Sequence, residues 1–296
     1  MDRVMNPETG ALRARLSHIC REQLNPEAAA VVESLARPAV RMHHTDDPTR
    51  SHLGGGALLV DSNQWPRWND RPLSLVAVID LAELSQFDTE PGLPSQGVLN
   101  FFYDDEEQPW GFEPEDRGGW RVILVDPDDA RAVGAPDGVE AFVSIGLAPQ
   151  QTLSIPGWEE PAVESVFPPH QDRTPAAEAA RQRFFPMQDD WNEVVDVESS
   201  PNHQIGGWPR LQQGPIWREC DVVSRGLPLG TSEQWRHAEP TFRVDREADW
   251  RLLLQLDTDD DAGWMWGDVG TLYFTFRRTL PVAAACDEAW LVLQCG

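Results

Sequence analysis

The sequence contains no lysine: all 24 of its basic residues are arginine, set against 49 Asp and Glu. That absence excludes a lysine Schiff base, a P-loop with its phosphate-binding lysine and the ATP-pairing lysine of a kinase. Positive charge is scarce altogether, with a formal net charge of −25. Nucleic acid and anionic membrane surfaces are therefore excluded as partners, because both are recognised through clustered Lys and Arg. Long hydrophobic runs are missing too. The longest uncharged apolar stretch, Leu73–Ile79, is far below the ~20 residues that a membrane span takes. Met1–Gly10 lacks the basic-then-apolar order of a secretory signal, so a cytoplasmic location is expected. The four cysteines (Cys20, Cys220, Cys286 and Cys295) form no C-x-x-C pair, which removes zinc-ribbon and thioredoxin readings and leaves free thiols.

What is present is enough apolar material for a core: 41% hydrophobic residues, including 13 Trp. Leu12, Leu16, Ile19 and Cys20 recur at helical spacing between Glu8 and Leu24. Asn25 caps a second helix opened by Pro26 and Glu27, and Pro38 ends it. Ala39–His43 reads as a strand. Strand-length apolar runs come next at Leu73–Leu81, Gly97–Tyr103, Trp120–Val125, Ala141–Ile145 and Gln151–Ile155. Pro156–Thr174 reads as a surface linker. Thr174 and Pro175 cap a helix to Phe185, another covers Asp189–Val197, and strand texture runs from Pro201 to the end.

Two parts of the chain echo one another. Ser51-His52-Leu53-Gly54-Gly55 is matched by His203-Gln204-Ile205-Gly206-Gly207. A buried-strand run ending in Asp occurs at Leu75–Asp80 and again at Leu252–Asp257. A glycine then opens an aromatic strand at Gly97 and at Gly270. The expected fold is α+β: N-terminal helices (1–38), a first β-rich half (39–155), a linker and helical insert (156–200) and a second β-rich half (201–296). The halves are expected to share one core in one continuous unit, with a ligand groove between them.

These residues resemble the YwqG-like family of bacterial domains of unknown function. The resemblance is carried by His203–Gly207, Leu252–Asp257, Trp266–Phe274 and Gln294-Cys295, and more loosely by Leu35–Val40, Gly55-Gly56, Trp65-Pro66, Ile79–Leu81 and Gly97–Leu99. It departs at Val78, where similar proteins carry Gln, and in lacking a proline after the first Gly-Gly. It implies the fold and a bacterial cytoplasmic origin, and no activity.

Candidate sites emerge from residue chemistry. Asp257, Asp259, Asp261 and Asp268 have the spacing of a calcium loop. Ala262 replaces the usual glycine, however, and strands flank the loop, so an Asp-rich hairpin turn is the expectation. His43, His44, Asp46, Asp47 and His52 are metal-capable, yet neighbours on a strand face opposite ways, which makes a solvated loop the reading. His203 could serve as a base, but no nucleophile signature accompanies it, and Gly206 and Gly207 read as a tight turn. Asp80 and Asp257 end equivalent strands, where capping a turn is the simpler role. Gln255 must find partners if buried. Trp264 and Trp266 read as core, Trp65 and Trp68 as exposed.

The expected binding set is His203, Gly206, Gly207, Gln255, Asp257, Trp266, Asp268 and Asp80, with no cofactor. The expected function is non-catalytic: a groove or acidic surface that takes a small ligand or a basic protein partner, an antitoxin-like role being one version. The alternatives are a metal-assisted hydrolase and a small-molecule sensor that use the same Asp and His residues.

Overall fold

Asn6 and Asn25 each accept a hydrogen bond from the first helical turn, and a proline opens both of the helices they cap, α1 (Pro7–Gln23) and α2 (Pro26–Leu35). The computed structural model describes residues 6–89, 93–168, 174–196 and 201–296. Met1–Met5, part of the stretch read for a signal, lie outside the described residues, as do 169–173 of the expected linker and Val197 of the expected helix end.

Ten strands build one antiparallel sheet: β1 (Arg37–Thr45), β2 (His52–Leu53), β6 (Ser74–Asp80), β7 (Val98–Tyr103), β8 (Trp120–Val125), β10 (Ile145–Ser154), β11 (His203–Ile205), β12 (Trp250–Asp257), β13 (Thr271–Arg277) and β14 (Trp290–Gln294). Short ribbons pair β3 (Ala57–Leu59) with β9 (Arg131–Val133), and β4 (Arg67–Trp68) with β5 (Arg71–Pro72). Five further helices are α3 (Pro175–Val194), α4 (Trp217–Val223), α5 (Ser232–Ala238), α6 (Val244–Glu247) and α7 (Val282–Asp287).

The sheet order is β14-β13-β12-β11-β1-β10-β2-β6-β7-β8, which reads as two runs of five arranged symmetrically about the β1–β10 seam. The correspondence extends to local detail. Both long hairpins carry a register shift, at Leu75/Ala77 and at Leu252/Leu254. The Gly54 N–H donates to Val76 O and the Gly206 N–H to Leu253 O, each at 3.2 Å. The two ends of the sheet nearly close on each other: Trp120 of β8 and Trp290 of β14 meet edge to face at 4.9 Å. The enclosed core joins both halves, with Phe101 against Phe274 at 5.2 Å. Each such fully buried ring contributes about 1.5–3 kcal/mol. A second cluster lies under α1, α2 and α3, and a third under β3 and β9.

Several sequence expectations are corrected. Pro38 does not end α2; it lies inside β1, where its missing N–H is tolerated one residue from the strand start. Ala141–Ile145 and Gln151–Ile155 are not two strands, because β10 runs unbroken from Ile145 and pairs along its whole length with β1. The two helices expected over 174–197 are one helix, α3, which continues through Pro186. The second half is not continuous strand: α4–α7 interrupt it, and α4, α5 and α7 place apolar positions on the sheet core. Trp65 is buried, not exposed, because its indole N–H reaches Leu73 O at 2.8 Å and its ring meets Phe102.

Candidate functional site

Arg41 of β1 faces Gln204 of β11 in register, and Gln204 faces Gln255 of β12, which faces Tyr273 of β13. Directly paired residues point to the same side of a sheet, so four polar side chains cross its outer face in a row. Three of them, joined by Gln294 of β14, hold one loop, Gly206–Gly214. Gln204 Nε2 donates to Gly206 O and Trp208 O. Gln255 Oε1 accepts from the Arg210 N–H at 2.8 Å, and the Tyr273 hydroxyl donates to Arg210 O. Gln294 accepts from the N–H groups of Gln212 and Gln213 and donates to Gly214 O. The loop starts with a close approach that needs glycine: at Gly207, φ is 73° and a Cβ would lie 2.3 Å from Ser154 Oγ.

The loop walls a cavity of about 370 Å³ over the β1–β10 seam. Arg41, Thr152–Ile155, Asn202 and Gln204 form its floor; Trp158–Glu160 and the Phe185, Gln188, Trp191 and Asn192 face of α3 close it. Burial lowers the Arg41 pKa, opposed by the nearby charges of Asp196 and Asp257. The same desolvation pushes the Glu160 carboxyl up to about 7, although the Trp217 indole N–H donates to it at 2.7 Å. Glu160 Oε1 and Asn202 Oδ1 are buried with no hydrogen-bond partner among the described residues.

A second cluster sits inside the sheet. His44 of β1 and His203 of β11 both direct Nε2 at Asp259 Oδ2, at 2.8 and 3.0 Å. These three form the group among the described residues whose metal-capable atoms lie within 4.8 Å of one another. The donor pattern opposes a metal ion. The Asp257 N–H donates to His203 Nδ1, so that ring carries its hydrogen on Nε2 and spends it on Asp259. A ligating His donates from its other nitrogen to an acceptor, the reverse of this arrangement. Asp259 Oδ1 meanwhile accepts from the N–H groups of Asp261 and Ala262. Burial works to raise the Asp259 pKa, but the hydrogen bond from His203 holds it below the ordinary carboxylate value. The cluster clamps β1, β11 and the Asp-rich turn together.

The other sequence candidates are dispersed. Asp257 accepts from Thr271 Oγ1 and the Asn202 N–H; Asp80 accepts from the Ala82 N–H and meets Arg50 at 3.0 Å. Four strands separate β6 from β12 in the sheet, so these two carboxylates cap their own strand ends. Asp261 and Asp268 are exposed. Trp266 is fully buried, stacked on Trp264 at 5.3 Å. Gly206, Gly207 and Gln255 build the cavity loop, while His203 belongs to the interior clamp. Asn202, Arg41 and Glu160 of the cavity were missed from sequence; an Arg between Val40 and Met42 was the available signal.

A family model described as Domain of unknown function (DUF1963) matches residues 51–295. The chain belongs to the DUF1963 family. No curated protein matches it. The DUF1963 match starts at Ser51, so Arg41 and His44 are contributed by a strand outside it. Among the described residues, no helix of this DUF1963 chain is long and apolar enough to cross a membrane.

Proposed function

We propose that this DUF1963 chain is a non-catalytic binding protein whose small polar ligand occupies the cavity over the β1–β10 seam. The observation that carries the reading is the loop held by Gln204, Gln255, Tyr273 and Gln294, side chains from four adjacent strands. A wall fixed before binding lowers the ordering cost of association, which is what a recognition site needs. The groups suited to chemistry, Asp80, Asp257, His203 and Asp259, are spent on internal hydrogen bonds, which weighs against the metal-assisted hydrolase reading. The net charge of −25 favours one further reading, an acidic surface that engages a basic protein.

The fold behind the site is read as an internal duplication in a bacterial, cytoplasmic, YwqG-like protein. Support for the duplication comes from the symmetrical strand order and the matched register shifts. A thermal-shift screen of a broad soluble-metabolite library, with tryptophan-fluorescence titration of the hits, tests the binding reading. A saturable ligand whose signal is lost in Trp158→Ala supports it. A library without a single saturable hit overturns it.

A further inference from the structure

We infer that a basic protein segment with an apolar anchor docks on the face formed by the turns 104–110 and 264–270. This rests on the reading of an acidic surface that engages a basic protein, not on the seam cavity, and gives that surface a place. Of the seven large apolar side chains exposed among the described residues, four gather here. Trp110 (37% exposed), Met265 (50%) and Val269 (61%) lie around the end of β14. The Leu293 N–H donates to Trp110 O at 3.2 Å, and a Cβ on Gly267 would touch Cys295 at 3.0 Å. Val143, 57% exposed, follows Phe142, whose ring meets Trp264 edge to face at 5.0 Å. Apolar side chains gathered in this way mark an interaction site, and methionine adapts to what it meets.

The two turns hold each other in shape. Gln108 Nε2 donates to Met265 O at 3.1 Å, and Gln108 Oε1 accepts from the Gly267 N–H at 2.8 Å. Val269 has a φ of 53°, a left-handed backbone that is unfavourable for a β-branched residue, and its side chain is left in solvent. Such strain gathers at sites of recognition, which supports the assignment. Charge selects the partner. Residues 104–116, 132–149 and 252–276 include no Arg, Lys or His. Arg71 reaches Glu106 and Glu107, and His44 lies 3.7 Å from Asp261, whereas Asp260 and Asp268 meet no cation among the described residues. A second copy of this acidic chain, a nucleic acid or an anionic lipid would bring like charge to like. A segment bearing Lys or Arg supplies cations to the rim while its apolar side chain covers Met265 and Val269.

The test is fluorescence-anisotropy titration of the full chain, at physiological ionic strength, with three labelled peptides: an amphipathic Leu/Lys helix, the same peptide with Ser for every Leu, and the same with Glu for every Lys. The Leu/Lys peptide is expected to bind saturably, and the other two roughly tenfold more weakly or worse. Met265→Ser, at an exposed position, is expected to keep the wild-type melting temperature and to bind the Leu/Lys peptide roughly tenfold more weakly, the effect of one apolar side chain no longer covered. Asp260→Asn combined with Asp268→Asn weakens it likewise, whereas Val244→Ser, at the exposed start of α6, does not. Val269→Gly frees the left-handed backbone, so it weakens the peptide without lowering the melting temperature. Binding of the Leu/Lys peptide that is indifferent to Met265→Ser and to the paired Asp changes overturns this place and leaves the acidic-surface reading standing. Equal affinity for the Ser/Lys peptide overturns the apolar anchor. Self-association in sedimentation that Met265→Ser abolishes assigns the face to a second copy and overturns the basic partner. If no peptide binds, the place and the acidic-surface reading fall together, and the metabolite screen decides the seam cavity separately.

Discussion

Glu160→Gln isolates what the buried carboxyl in the cavity wall does to stability. Burial moves this carboxyl from 4.5 to about 7, against the opposing effects of the Trp217 indole N–H and the Arg37 charge. Between those two values the folded chain keeps a proton that the unfolded chain releases. Its contribution to stability is therefore full below the unfolded pKa and is lost as pH rises through the folded one. A displacement of roughly 2.5 units at 1.36 kcal/mol each amounts to about 3 kcal/mol by about pH 8. Glutamine is neutral throughout and keeps an acceptor for Trp217 Nε1, now 2.7 Å from the Glu160 carboxylate. The variant should exceed the wild type by less than about 1 kcal/mol near pH 5 and by about 3 kcal/mol near pH 8. Glu219, also pushed to about 7, leaves a residual slope that both proteins share. Urea unfolding monitored by tryptophan fluorescence across that range gives the comparison directly. A stability difference that stays constant from pH 5 to 8 would refute the reasoning, because a solvated carboxylate behaves that way.

Gly207→Ala should lower stability by at least about 2 kcal/mol in urea unfolding, from the left-handed backbone and the clash with Ser154. Gln255→Leu strips the partners of the Arg210 N–H and Asn202 O, and should lower stability by about 2–4 kcal/mol while loosening the cavity loop, read as faster amide exchange at Arg210. Asp259→Ala leaves the buried His203 N–H without an acceptor and should cost about 2 kcal/mol or more near pH 7. Because the Asp259 pKa is depressed, the stability it adds is present above its unfolded value and lost as pH falls through the folded one, so the deficit should shrink in acid.

The sheet was legible where burial on both faces leaves continuous apolar runs, as in Ser74–Asp80 and Trp250–Asp257. The glycine corners were legible too, because positive φ and a blocked Cβ position restrict the residue type. The helices α4–α7 were not: α6 has four residues and α7 six, too short for a 3.6-residue period to stand out against strand-like apolar content. The clamp was divided between two motifs read separately, His44 in one and Asp259 in the other, and only the pairing of β1 with β11, and of β11 with β12, brings them together. Asn202 gave no signal, since its role depends on facing a cavity that distant segments enclose.

Val78 stands in the first half where Gln255 stands in the second, yet the loop after the first glycine corner is held by another side chain. Counting from the glycine corners, Leu58 stands where Arg210 does, and Gly56 where Trp208 does. The Asn100 side chain both donates to Leu58 O and accepts from the Leu58 N–H, the two bonds that Tyr273 and Gln255 share at Arg210. His52 Nε2 contacts Gly56 O at 3.0 Å, as Gln204 Nε2 does Trp208 O at 3.0 Å. Even the strand-end bond recurs, with the Asp80 N–H on Ser51 Oγ and the Asp257 N–H on His203 Nδ1. Fixing the loop after the glycine corner is thus common to both halves, while the side chains that do it differ. Beyond the loop the halves part. After Leu58 the chain pairs with β9 and is packed shut over an apolar cluster, whereas after Arg210 it stays apart from α3 and leaves space. The cavity therefore lies beside the second glycine corner, at a place where the first half carries the β3–β9 ribbon instead.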